Sequence, residues 1–324
     1  MRSAVEWWER HQVALYVGAI VVGAAAGLAL PVLAHPLELA INPVLGLLLY
    51  ATFLGVPFTA IGAGLKDVRF LGAVLILDFV LIPVVVFGLS RLVTADRALL
   101  VGVLLVLLTP CVDYVIVFAG LAGGAKERLL AATQLLMLLQ MLLLPLYLWL
   151  MAGPDVVSAF DVRPFVEAFL LLIVLPLAAA VVTQLLSRRL RLAHTVEQGV
   201  LAAMVPLMML TLAVVVGSQV HAVAGALGRL IVVVPVYVAF VLLAAPLGAL
   251  VGSVARLDVG GRRAVVFSGV TRNSLVVLPL ALALPPPFAL APLVVVTQTL
   301  VELIAMVVMV AVVPRLIGRR GPEV

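Results

Sequence analysis

Charged residues are scarce in this chain of 324 residues. Asp, Glu, Lys and Arg together make up 11% of it, whereas 65% of the residues are hydrophobic. A soluble domain carries about 25% charged residues, so the composition excludes an ordinary soluble protein. Long apolar runs follow one another with only short connections between them. We therefore predict an all-α integral membrane protein with no separate soluble domain.

Several kinds of site are also missing from the sequence. The single cysteine, Cys111, cannot form an internal disulfide, and the four histidines show no metal-ligand spacing. No phosphate-binding loop of the GxxxxGK type is present, so ATP-driven pumping by this chain is unsupported. The net charge of +5 comes from loops between apolar segments and does not indicate nucleic acid. We expect no enzymatic activity, no metal and no cofactor, and a lipid bilayer as the surroundings.

The apolar segments predict ten transmembrane helices, since about 20 apolar residues are needed to cross a bilayer. Their expected limits are 12–34, 40–62, 70–92, 98–122, 129–152, 165–186, 197–219, 229–253, 264–284 and 289–313.

Basic residues in the loops predict the orientation of the chain. Fifteen of the twenty Lys and Arg residues fall on the side of the N-terminus and four on the opposite side. Cytoplasmic loops are enriched in Lys and Arg, so both termini are expected in the cytoplasm, in an inner or plasma membrane. The fifteen are Arg2, Arg10, Lys66, Arg69, Lys126, Arg128, Arg188, Arg189, Arg191, Arg256, Arg262, Arg263, Arg315, Arg319 and Arg320, and the four are Arg91, Arg97, Arg163 and Arg229.

The two halves of the chain resemble each other. FVLIP at 79–83 recurs as FVLLAAP at 240–246, and Thr-Pro-Cys at 109–111 is echoed by Thr-Arg-Asn at 271–273. Five spans is an odd number, so the second half must enter the membrane from the opposite side. The pattern predicts a 5+5 inverted repeat in which the fourth and ninth helices are broken and cross. The two repeats would comprise residues 1–160 and 161–324.

The fourth span carries the first break. Pro110 has no N–H and crowds the preceding turn, so a continuous helix must kink or end there. Thr109 could cap a new half-helix, with Pro110 at its first position. Cys111 and Asp113 would then lie directly inside the new helix, at the depth where transporters bind their solutes.

The ninth span contains Arg272, the one basic residue left inside the membrane. Ionisable groups at this depth are costly unless paired, and each is a functional-site hypothesis. Asp113 and Arg272 occupy equivalent places in the two halves, and we predict that they face each other. Thr271 could cap the second half-helix, with Asn273 and Ser274 following in the site.

Other polar residues inside spans extend the candidate site. Glu302 on the tenth span has Gln298 one turn before it on the same face, and Gln134 lies on the fifth span. We expect Glu302 to carry protons with Asp113, and the two glutamines to line the pathway. Asp78, near Pro83 in the third span, is expected to serve packing or gating.

Three stretches resemble the arsenite efflux permeases, which belong to the wider bile acid/sodium symporter superfamily. They are PCVDYVIVFAGLAGG from Pro110, TRNSLVVLPLALALP from Thr271 and VELIAMVVMVAVVPRL from Val301. The resemblance implies that Cys111 of the Pro-Cys pair binds arsenite, and that Glu302 is the acidic residue of the tenth span. Thr109, Asn273, Ser274 and Arg272 would complete the substrate site.

Two departures from that family concern the coupling ion. Val276 stands about where the arsenite permeases have a glutamate, and the Ser-, Asn-, Thr- and Glu-rich sodium pattern of the bile acid symporters is not reproduced. The resemblance therefore implies a secondary transporter that exports arsenite or antimonite in exchange for protons rather than sodium. A sodium- or proton-coupled importer of an organic anion stays open, since Arg272 suits a carboxylate. A membrane sensor or scaffold is the third reading.

Overall fold

The computed structural model describes residues 2–55, 67–112, 114–153 and 170–318. Regular structure within these residues is helical, apart from one isolated antiparallel bridge between Pro110 and Arg272. The helices are α1 Arg2–Ala29, α2 Ala34–Leu54, α3 Val68–Ile76, α4 Ile82–Ser90, α5 Arg97–Leu107, α6 Tyr114–Leu121, α7 Lys126–Ala152, α8 Leu175–Ser187, α9 Arg191–Ala202, α10 Met204–Gly225, α11 Leu227–Leu230, α12 Val233–Val254, α13 Val259–Val270, α14 Ser274–Leu282 and α15 Ala291–Leu316.

Six helical stretches in the described residues are long and apolar enough to cross a membrane. The chain is thus an all-helical, multi-pass membrane protein, as its composition predicts. The six are Pro31–Leu54, Val68–Val93, Leu135–Ala152, Met204–His221, Leu227–Val254 and Pro286–Leu316. Shorter apolar helices occupy Ala14–Ala29, Arg97–Leu107 and Leu175–Ser187.

The predicted seventh span is in fact two helices. Residues 197–219 were expected to form one helix, but α9 ends at Ala202 and α10 starts at Met204. Pro206 lies in the first turn of α10 and has no N–H to offer the carbonyl of Ala202, so the backbone breaks between them. The second span also lies earlier than expected, because α2 begins at Ala34 rather than near residue 40.

One compact unit comprises Met1–Pro57 and Asp161–Arg229. Here α1 packs along α10, and α2 packs against both α8 and α10. Small residues allow this close approach: a Cβ on Gly27 would collide with the carbonyl oxygen of Gly217, and one on Gly23 would lie 2.5 Å from that of Ala213. The GxxxG pair at 23 and 27 thus forms a helix-packing surface.

Side-chain hydrogen bonds join α2 to α8 in the same unit. Tyr50 Oη lies 2.9 Å from Thr183 Oγ1, and Gln184 Nε2 donates to the carbonyl oxygen of Leu54 at 3.0 Å. These bonds satisfy polar groups that would otherwise face an apolar interior.

The second compact unit comprises Phe58–Phe160 and Leu230–Val324. Helix α15 packs against α5, α12 and α14, and α12 packs along α13. Tyr237 on α12 is buried and donates its hydroxyl to the carbonyl oxygen of Val294 on α15 at 2.9 Å. All the elements of the predicted site lie within this unit.

A widened π turn over Leu77–Leu81 separates α3 from α4. Pro83 follows it and has no N–H for the carbonyl of Phe79, which instead accepts the hydroxyl of Tyr147 at 2.6 Å. The turn carries Asp78, whose side chain is fully buried. π turns of this kind occur often at functional sites.

The Gly27 contact gives a test of the helix packing. We expect Gly27→Leu to lower the free energy of unfolding by about 1–3 kcal/mol or more, because the new side chain must push α10 away. Gly18→Leu is the matched control, since a Cβ on Gly18 meets nothing within 4 Å. Thermal unfolding of the two purified variants in detergent measures the difference, and equal midpoints would contradict this packing.

Candidate functional site

Two interrupted helices meet through their backbones. The gap between α5 and α6 holds Pro110, and the gap between α13 and α14 holds Arg272, which pairs with it in the antiparallel bridge. Cys111 N–H donates to the Thr271 carbonyl oxygen at 3.2 Å, and Asn273 N–H donates to the Thr109 carbonyl oxygen at 2.8 Å. The breaks therefore satisfy each other's backbone groups inside a buried, largely apolar part of the protein.

The two threonines end the first half-helices and do not begin the second ones. Thr109 Oγ1 donates to the Leu105 and Val106 carbonyl oxygens, both at 3.0 Å, and Thr271 Oγ1 donates to the Phe267 carbonyl oxygen. These hydroxyls add a second donor to the last turn of each helix, since the backbone N–H groups of Thr109 and Thr271 also bond to Val106 and Phe267. The predictions that Thr109 and Thr271 are N-caps are therefore wrong.

The start of each second half-helix also differs from the prediction. Helix α14 is capped by Asn273, whose Oδ1 accepts the N–H of Val276 at 3.2 Å. Pro110 lies in the extended crossing segment and not at the first position of α6, which begins at Tyr114. The pairing with the other broken helix keeps this stretch extended.

Arg272 connects the ends of both first half-helices. Its side chain is 0% exposed, and its Nη2 donates to the carbonyl oxygens of Ser268 at 2.6 Å and Gly269 at 2.8 Å. Its Nη1 lies 3.4 Å from the carbonyl oxygen of Leu107 at the end of α5. A cation is stabilised at the C-terminus of a helix because the helix dipole is negative there.

Asp78 is the acidic partner of Arg272 in the described residues. Its Oδ1 lies 2.7 Å from Arg272 Nη2, and its Oδ2 accepts the hydroxyl of Ser268 at 2.7 Å. The guanidinium also lies 5.4 Å from the centre of the Phe240 ring. Sequence reasoning gave Asp78 only packing or gating, because several acids in spans could have matched one arginine. The predicted partner, Asp113, lies outside the described residues, and its role stays a prediction.

Glu302 reaches the crossing from α15. Its Oε2 accepts the backbone N–H of Arg272 at 2.8 Å and the side-chain amide of Gln298. The carboxylate is 1% exposed. Gln298 lies one turn before Glu302 on the same face of α15, as predicted, and the two side chains are hydrogen-bonded.

Three neutral polar atoms at this site are buried without a hydrogen-bond partner within the described residues. They are Asn273 Nδ2, Ser274 Oγ and Gln298 Oε1, on side chains that are 1–3% exposed. A buried polar group left without a partner costs about 1–3 kcal/mol. Such groups indicate a place where a solute or water supplies the missing bonds.

Cys111 and Gln134 are the remaining residues of the predicted site. Cys111 is 1% exposed and lies next to the bridge, in the extended segment and not in the first turn of α6 as predicted. Gln140 on α7 was left out of the predicted site, yet both of its amide atoms are buried without partners among the described residues. The side chain of Gln134 lies outside the described residues.

Two broken helices that pair at a buried polar crossing are typical of solute transporters. Here they lie in an all-helical, multi-pass chain. Comparison with known families agrees: the Sodium Bile acid symporter family matches residues 42–226, more than half of the chain. The chain belongs to this family and is a membrane-embedded transporter of a solute. The match includes Asp78 and Cys111 and ends before Arg272 and Glu302. A search of curated proteins finds no match.

The buried ion pair predicts that the effects of two substitutions on stability depend strongly on each other. Asp78→Asn or Arg272→Gln alone leaves one buried charge uncompensated, which costs about 3–5 kcal/mol. The double variant removes both charges and should recover part of that loss. Folded yield and thermal unfolding of the purified proteins measure the effect. Additive losses in the double variant would contradict the pairing.

Asp258→Asn is the matched control for this cycle. It breaks the ion pair between Asp258 and Arg128, whose side chains are 60% and 40% exposed. Because exposed pairs contribute about 1 kcal/mol or less, this variant should unfold close to the wild-type midpoint.

Proposed function

We propose that the protein is an arsenite (or antimonite) efflux permease that exchanges its substrate for protons. The observation that carries this proposal is the set of neutral polar groups without partners at the crossing, two of which, Asn273 Nδ2 and Ser274 Oγ, follow directly on the segment that pairs with the only cysteine. Such a set suits a small, uncharged, hydroxyl-rich solute. Arsenite in neutral water is mostly the trihydroxide.

The charges of the site favour a neutral solute over an anion. Arg272 could have bound a carboxylate, but its charge is engaged by Asp78 and by the ends of two helices. Glu302 adds a further carboxylate at the same place. An anionic solute would therefore meet a cation that is already compensated, next to a carboxylate.

The thiol of Cys111 would allow the site to distinguish arsenite from other neutral polyols. Its thiol can condense with one hydroxyl of the trihydroxide, forming an arsenic–sulfur bond and releasing water. The other two hydroxyls can accept bonds from Asn273 Nδ2 and Ser274 Oγ or donate to Gln298 Oε1. A single thiol holds arsenic reversibly, whereas three would hold it too firmly for transport.

Among the described residues, Glu302 is the candidate for the proton carrier. It lies at the crossing and accepts bonds from Arg272 and Gln298, so its protonation state affects the groups around the solute. We propose that Asp113, which follows Cys111 closely in sequence, shares this role. Proton coupling is preferred to sodium because the sodium pattern is not reproduced.

We further propose ten spans arranged as an inverted repeat of residues 1–160 and 161–324. The matching roles of Thr109 and Thr271, each of which donates its hydroxyl four residues back in a broken helix, support this symmetry. The excess of Lys and Arg on one side supports cytoplasmic termini in a plasma or inner membrane.

A sodium- or proton-coupled organic-anion symporter is the second candidate. Membership of the Sodium Bile acid symporter family favours it. The engagement of Arg272 by Asp78 counts against it, since no other described basic side chain lies in the crossing.

Replacing the thiol separates the two candidates. In everted membrane vesicles with an imposed pH gradient, Cys111→Ser should reduce arsenite accumulation by tenfold or more, because the arsenic–sulfur bond is lost. Val112→Thr, a conservative change at the next buried residue, is the control and should keep most of the flux. Arsenite transport that survives Cys111→Ser would overturn the role of this residue. Thiol-independent uptake of a carboxylate would favour the symporter.

Replacing the carboxylate tests the coupling. Glu302→Gln should abolish arsenite accumulation driven by a pH gradient but leave arsenite–arsenite exchange measurable. Glutamine keeps the size of glutamate and an oxygen that accepts hydrogen bonds, but it cannot bind and release a proton. Glu38→Gln, at an exposed glutamate, is the control. Accumulation by the Glu302→Gln protein under a pH gradient would assign coupling elsewhere, and accumulation driven by a sodium gradient would contradict proton exchange.

A further inference from the structure

The short helix α9 lies between two apolar helices and is held at both ends. Residues 188–190 connect it to α8, and Ala203 alone connects it to α10. Its 12 residues are about 18 Å long at 1.5 Å per residue. Three residues of chain extend only about 10 Å, so the start of α9 stays within that distance of the end of α8, against which α9 also packs.

One face of α9 is apolar and uncovered. Leu192 is 77% exposed and Val196 is 45% exposed, and the preceding Leu190 is 53% exposed. Leu192 and Val196 lie one turn apart on the same side of the helix, and no residue of α9 is buried. Neither residue is covered by the part of the protein that the structure describes.

Basic side chains gather at the start of the same helix. Arg188, Arg189 and Arg191 are exposed and line a cleft of about 580 Å³ together with His194 and neighbouring hydroxyls. The one acidic residue of α9 is Glu197, whose Oε2 lies 3.9 Å from His194 Nδ1. The three arginines therefore present a net positive surface directly beside the apolar face.

We propose that residues 188–202 are an interfacial segment that binds anionic phospholipid headgroups of the bilayer. An amphipathic helix with basic residues at its polar boundary lies in the headgroup layer with its apolar face toward the acyl chains. The three arginines bind lipid phosphates, and Leu190, Leu192 and Val196 enter the apolar boundary. This contact is independent of the transported solute.

Lipid retention by the full-length protein tests the charge. Purified protein is exchanged into mixtures of phosphatidylglycerol and phosphatidylcholine, and bound lipids are counted by native mass spectrometry. Arg188→Gln/Arg189→Gln/Arg191→Gln should reduce the preference for the anionic lipid by about tenfold. Arg69→Gln/Arg256→Gln/Arg315→Gln removes the same charge from other exposed positions on the same side and should keep the preference. Equal losses in both triple variants would overturn the proposal.

The depth of two labelled positions tests the placement. In a Cys111→Ala background, nitroxide labels at Val196→Cys and Gln198→Cys lie on opposite faces of α9. In liposomes containing phosphatidylglycerol, the label at 196 should be reached by oxygen and the label at 198 by a water-soluble nickel reagent. Equal access of the nickel reagent to both labels would show that α9 stands in water and would contradict an interfacial position.

Discussion

The guanidinium of Arg272 is the interaction on which the crossing depends. Two helices end inside an apolar unit, and each leaves carbonyl groups that no backbone N–H can reach. Arg272 donates to the ends of both α5 and α13 and pairs with Asp78. Within the described residues, one side chain therefore compensates two helix ends and is itself compensated by the carboxylate of Asp78. Without it, the breaks that create the site would carry a large desolvation cost.

The same arrangement compensates the charge of Arg272 within the protein. The cation and its carboxylate lie at the ends of the first half-helices, whereas Asn273 caps the start of α14 and Ser274 begins it. The groups left without partners there are neutral. A transporter with its fixed charges satisfied within the protein can take up a neutral solute without leaving a buried ion uncompensated in either state.

The sequence predicted the elements of the site better than their connections. Pro110 and the half-chain offset located both breaks, because a missing N–H and a repeated pattern are local signals. The pairing of Asp78 with Arg272 was not predictable, since the two lie 194 residues apart and Asp78 is carried by a π turn. The cap of α14 was missed for a related reason: threonine and asparagine both suit an N-cap, and only the backbone pairing decides which one ends a helix and which one begins it. The split of α9 from α10 was marked by Pro206, a signal that the apolar pattern concealed.

The link between Glu302 and Arg272 suggests how proton binding can influence the solute. The carboxylate accepts the backbone N–H of Arg272, one residue before Asn273 and at the bridge with Pro110. Bonds to a charged carboxylate are stronger than bonds to a neutral acid, so protonation weakens the hold on this backbone and on Gln298. Both affected groups adjoin polar atoms that lack partners in the described structure. With the proposed role of Glu302, proton and solute would act on the same few bonds, and a change in one would alter the free energy of binding the other.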